Sequence, residues 1–162
     1  MTVIDVSAAV RQPGKVFEFE YEGEPALQGI EFIQPLKLKC KYKALIGGKS
    51  IKLTGSYNTV IREECVRCLD EVSFKLDRTF EEIFADEENE DNFFTFEDNK
   101  IDLDKMLYED IMLHVPPHIL CREDCQGLCS ECGANLNRQQ CTCSPEAEIK
   151  ETNPFAKLKD LF

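Results

Sequence analysis

Leu36-Lys37-Leu38-Lys39-Cys40-Lys41-Tyr42-Lys43 alternates apolar and lysine side chains with a period of two. Successive side chains of a strand point to opposite faces, so this stretch reads as a β-strand with one dry and one wet face. The pattern extends both ways. Phe17, Phe19 and Tyr21 alternate with Glu18, Glu20 and Glu22. Beyond the Gly47-Gly48 turn, Ile51, Leu53, Tyr57, Thr59 and Ile61 continue it, with Gly55 a candidate bulge. Val72, Phe74 and Leu76 open a further strand toward Ile83-Phe84. Residues 37–84 are therefore expected to form an antiparallel meander.

The periodicity then changes. Leu103, Leu107 and Ile111 recur at i, i+4 and i+8, flanked by Met106 and Leu113, which predicts a helix over 102–114. Asp102 is its candidate N-cap, and Pro116-Pro117 stop it. Six cysteines follow between Cys121 and Cys143, in a segment too poor in apolar residues for a core of its own. Asn153-Pro154 predicts the start of a short helix whose Phe155, Leu158, Leu161 and Phe162 form an apolar face. That face docks either on the core, the favoured reading, or on a partner. The expected fold class is α+β: mainly an antiparallel sheet with one main helix and a C-terminal Cys-rich zinc-knuckle module. The expected division is a sheet-plus-helix core over 1–118, a metal-binding module over 119–145 and a tail over 146–162.

Nineteen Lys and Arg against 31 Asp and Glu give a net charge of −12, but unevenly. Residues 81–110 hold 13 acidic and 2 basic side chains, while 36–55 hold six lysines and no acid. The overall sign argues against a simple nucleic-acid coat and suits a basic protein partner. Lys37, Lys39, Lys41 and Lys43 nevertheless point to one face. They form a candidate RNA phosphate contact, or else a solvated face pairing with glutamates of a neighbouring strand. The acidic run 86–91 reads as a solvated loop. The first residues lack a basic head and a sustained apolar run, and no stretch reaches the roughly 20 apolar residues of a membrane helix. The expectation is a cytoplasmic protein without membrane partner, whose thiols stay reduced.

Nine cysteines are present. Cys40 sits at a core position, where cysteine acts as a small hydrophobe. The other eight divide into two sets of four, the ligand count of a closed structural zinc site. Cys129, Cys132, Cys141 and Cys143 form a compact candidate site, in which Cys121 or Cys125 could replace one member, weighed against a disulfide knot and free thiols. Cys65 and Cys68 leave three readings open: half of a second zinc site completed by Cys121 and Cys125, a redox dithiol, or an idle knuckle. Against the dithiol, the pair leads back into a strand, not into a helix, and its acidic neighbours are expected to raise its pKa. His114 and His118 are weaker candidate ligands. No nucleotide loop, nucleophile elbow or open metal site is present, so the expectation is a protein that is not an enzyme and has no small-molecule substrate.

Cys65-Val66-Arg67-Cys68-Leu69, the helix ending at the double proline, Gly127-Leu128-Cys129-Ser130-Glu131-Cys132-Gly133-Ala134-Asn135-Leu136-Asn137, and Asn153-Pro154-Phe155-Ala156-Lys157-Leu158 together resemble the YceD family of large-subunit ribosomal RNA accumulation proteins. The resemblance spans nearly the whole chain. It implies a factor supporting large-subunit ribosomal RNA synthesis, processing or accumulation, in ribosome assembly, through a ribosomal protein, the RNA or its precursor. A thiol redox or metal-handling protein using Cys65 and Cys68 is the alternative.

Overall fold

A computed structural model of the chain describes residues 2–47, 49–86 and 94–143. Gly48, most of the acidic run and the expected tail helix lie outside the described residues. The chain divides into two units, one of residues 1–63 and 71–119, the other of residues 64–70 and 120–162.

The first unit is built on a sheet whose five strands lie side by side in chain order. Its strands are β2 (Phe17–Gly23), β3 (Glu31–Ala44), β4 (Ser50–Glu64), β5 (Glu71–Ala85) and β6 (Phe94–Thr95). β2 runs antiparallel to β3, and β3 to β4, while the short β6 is parallel to β5. The ion pairs Lys52–Glu81 and Arg62–Glu71 show that β5 runs antiparallel to β4. Among the described residues the unit also holds a small antiparallel pair, β1 (Val3–Asp5) with β7 (Lys100–Asp102), and two helices, α1 (Ser7–Arg11) and α2 (Asp104–His114).

Alternation decides what is buried. Leu36, Leu38, Cys40, Tyr42 and Ala44 of β3, and Ile51, Leu53, Tyr57 and Ile61 of β4, face one core with Leu76, Phe80 and Phe84 of β5. α2 contributes Met106, Leu107 and Ile111, and Leu103 just precedes it. At about 25 cal/mol per Å² of apolar surface, each leucine, isoleucine, methionine or phenylalanine among them contributes roughly 1.5–3 kcal/mol before entropy is subtracted. Leu113, expected to flank the buried stripe, is 80% exposed. The helix begins at Asp104, two residues later than expected, and the Asp102 carboxylate accepts the Asp104 N–H at 2.9 Å. It ends as expected before the double proline: Val115 is extended, because a residue preceding proline is driven out of the helical region.

The irregularities of the β3–β4 pairing lie between Phe32 and Lys37, around Pro35, which has no N–H to give the ladder. Gly55 is not bulged but pairs with Cys40. A Cβ there would fall 2.5 Å from the Lys39 carbonyl and 2.6 Å from the Cys40 Cβ. Glycine is needed because the two backbones approach closely, not because the strand is interrupted. Among the described residues no helix is long and apolar enough to cross a membrane.

Candidate metal centres

The second unit contains the same turn twice. In Cys65-Val66-Arg67-Cys68-Leu69-Asp70, the Leu69 N–H donates to the Cys65 carbonyl at 2.9 Å, and the Cys65 N–H donates to the Asp70 carbonyl at 2.9 Å. In Cys129-Ser130-Glu131-Cys132-Gly133-Ala134, the Gly133 N–H donates to Cys129 at 2.9 Å and the Cys129 N–H to Ala134 at 2.8 Å. The fifth residue of each turn is left-handed, with φ of 60° at Leu69 and 70° at Gly133. Glycine adopts that conformation freely, whereas an L side chain pays about 1–2 kcal/mol.

Each turn supplies two sulfurs to a separate group of four. Cys65 and Cys68 meet Cys121 and Cys125, while Cys129 and Cys132 meet Cys141 and Cys143, with all sulfurs of a group within 4.8 Å of one another. The Cys65 and Cys125 sulfurs are 3.8 Å apart, and those of Cys68 and Cys121 3.5 Å. A tetrahedral ion with metal–sulfur bonds of about 2.3 Å requires sulfurs about 3.8 Å apart. A disulfide would need about 2.05 Å, and all nine cysteines are free. The donor set and spacing therefore fit a metal ion in each group.

The first group is held by a polar frame that the spacing of cysteines alone does not reveal. Arg67 donates from Nη1 to the Cys125 carbonyl at 3.0 Å, and its own carbonyl accepts the Leu128 N–H at 3.0 Å. Asn137 donates from Nδ2 to the Cys125 sulfur at 3.3 Å, while its Oδ1 accepts the Gln126 N–H at 2.8 Å. Asp70 binds Arg138 at 2.6 Å and Asn135 at 3.3 Å. Such partners orient ligands and stabilise sulfur in its anionic form. Cys65, Cys68 and Cys125 are buried, whereas Cys121 is exposed.

The electrostatics differ from what neighbouring carboxylates suggest. Burial pushes the Cys65 thiol up, but N–H groups of Cys121, Arg67 and Cys68 outweigh it and bring it down to about 6. The Asp70 N–H pulls Cys68 down, but burial and the three surrounding sulfurs prevail and push it up to about 12. In the second group, N–H groups of Cys132 and Glu131 lower Cys129 to about 7, while the Cys132 sulfur pushes Cys143 up to about 12. Backbone donors thus favour a first thiolate in each group, and that charge opposes the rest. A cation bound among the sulfurs removes this opposition.

A family model described as large ribosomal RNA subunit accumulation protein YceD matches residues 53–162, a span that includes both sulfur groups. The chain belongs to the YceD family. An uncharacterized protein of Mycobacterium tuberculosis is 29% identical over 171 residues, covering 98% of this chain and 80% of its own. The Arabidopsis thaliana relative named large ribosomal RNA subunit accumulation protein YCED homolog 1, chloroplastic, is 27% identical over 145 residues, covering 69% of this chain and 45% of its own. The Zea mays protein of the same name is 42% identical over 70 residues, covering 43% of this chain and 22% of its own. No solved structure matches this chain.

The remaining candidate residues of this YceD-family chain lie in the sheet unit. Lys37, Lys39 and Lys41 pair with Glu22, Glu20 and Glu18 at 3.1, 3.3 and 3.1 Å. Lys43 stands opposite Lys52 across the β3–β4 ladder. Neither His114 nor His118 joins a sulfur group. His114 hydrogen-bonds the Asp110 carbonyl through Nδ1 at 2.6 Å, and its Nε2 faces Arg78. Cys40 is buried in the core, and burial pushes its thiol up to about 12, as befits an inert hydrophobe.

Proposed function

We propose that this chain is a non-enzymatic factor of large-subunit ribosome assembly. It supports accumulation of large-subunit ribosomal RNA through a basic ribosomal protein in the cytoplasm, and it is stapled by two structural zinc ions. The observation that carries the reading is the pair of four-sulfur groups inside the span matched by the family model. A site filled by four thiolates leaves no coordination position for water, so a zinc ion there stabilises rather than catalyses. Metal binding also supplies the folding energy that a segment this polar lacks.

Two classes of partner are compatible with the family name. The net charge of −12 favours a basic protein. Direct RNA contact would fall on Lys37, Lys39, Lys41 and Lys43, three of which are neutralised by a column of glutamates. That balance supports the protein partner.

The alternative, a redox or metal-handling role for Cys65 and Cys68, draws on the acidic Cys65 thiol. It is disfavoured by the burial of both cysteines and by their place among four sulfurs. Cells lacking the protein should accumulate less large-subunit than small-subunit ribosomal RNA, and the purified chain should leave precursor RNA uncut. Normal RNA levels would reject the assembly role. Reversible Cys65–Cys68 disulfide formation in the metal-loaded chain would favour the alternative.

A further inference from the structure

The two metal-bearing turns share their hydrogen bonds and their left-handed fifth residue, yet one has glycine there and the other leucine. Among the described residues Leu69 is 60% exposed, and Val66 on the same turn is 50% exposed. Leu69 is thus, among these residues, an aliphatic side chain held in a conformation that disfavours it, with more than half of its surface in water. We infer that Leu69 and Val66 form an apolar docking point for a basic polypeptide segment. This deepens the reading above, resting on its two loaded metal sites.

Charge selects the partner. The described residues of the second unit contain no lysine and three arginines, against five carboxylates. Every arginine is turned to internal use: Arg67 on the Cys125 carbonyl, Arg122 on Asp124 and Asn137, Arg138 on Asp70. Four thiolates around one divalent ion add two further negative charges at each site. The described part of the unit is therefore net negative, although Arg67 keeps its charge on the turn itself, and that balance disfavours a phosphate backbone and favours lysine and arginine side chains. Two aliphatic side chains offer a small contact, suited to a transient complex.

The test uses the metal-loaded full chain and two labelled peptides of equal charge, one alternating lysine with leucine and the other lysine with serine. Wild type should bind the leucine peptide roughly tenfold more tightly. Leu69→Gly should abolish that preference while retaining both metal ions and an unfolding midpoint at or above wild type. Leu69→Asn, whose side chain tolerates the left-handed region, should do the same. Three results would each overturn the inference: both variants keeping the wild-type preference, a lowered midpoint in Leu69→Gly, or a single-stranded RNA oligonucleotide binding wild type more tightly than either peptide. Normal large-subunit RNA in cells lacking the protein, together with an intact peptide preference, would reject the assembly role and leave the docking point standing.

Discussion

The Cys65 sulfur lies 3.8 Å from the Cys125 sulfur, although sixty residues separate them in the chain. Nothing local brings them together. Cys65 is placed by a turn closed on Asp70, and Cys125 by the Arg67 and Asn137 contacts. The purified chain should accordingly contain two zinc ions. Cys125→Ser should contain one, as should Cys129→Ser, because the groups share no ligand. Elemental analysis of the three proteins checks this. Two ions retained in either variant would show that the wrong sulfurs have been grouped. Chelation should unfold residues 120–143 while leaving the core of the sheet unit protected from hydrogen exchange.

Gly55 and Gly133 should respond differently to alanine. At Gly55 the new methyl would overlap backbone and Cβ atoms of β3, so the strands must separate or shift. A loss of about 1–3 kcal/mol is expected, typical of an overpacked interior. At Gly133 nothing lies within 4 Å of the new atom, and only the left-handed backbone opposes it. Gly133→Ala should cost about 1 kcal/mol and reduce affinity at the second metal site more than it affects the sheet. Urea denaturation of both variants, with metal content measured in parallel, separates the two effects.

How much of this was legible beforehand follows from the range of each interaction. Period-two alternation exposes β2 to β5, since each strand has one wet face, and the i, i+4 recurrence exposes α2. The hydrogen bonds that define α1, β1, β6 and β7 join elements of two to five residues, too short to show a period. The cysteines advertise themselves by number and spacing. Arg67 and Asn137 do not, because their role depends on contacts across 58 and 12 residues to Cys125. The acidity of Cys65 was likewise hidden: side-chain charges are visible in sequence, whereas the backbone N–H groups that outweigh them are arranged only by folding.

The lysine ladder gives a prediction with two readouts. Lys37, Lys39 and Lys41 and their glutamate partners all have most of their side-chain surface in solvent. Pairs of this kind contribute about 0–1 kcal/mol. A Lys37/Lys39/Lys41→Gln triple variant should lose at most about 3 kcal/mol in total, less at high salt. It should also bring down the same protein partner as wild type from cell extract. Loss of associated RNA in the triple variant, with the protein partner retained, would move the RNA contact onto this face.

Glu82 gives the sheet unit a pH dependence in the carboxylate range. Partial burial raises its carboxyl above the ordinary 4.5, and the Asp110 and Glu109 carboxylates raise it further. A carboxyl whose pKa is higher folded than unfolded binds its proton more readily in the native state. Its ionisation therefore costs stability above the folded pKa, and that cost disappears as pH falls below the unfolded value. Glu82→Gln removes the charge while keeping the shape. The variant should be more stable than wild type at pH 7, and its advantage should shrink on acidification and vanish below about pH 4. Urea midpoints of both proteins across that range provide the check. An advantage that stayed constant with pH would mean that the substitution acts through packing, and that the acidic neighbours on α2 do not press on this carboxylate.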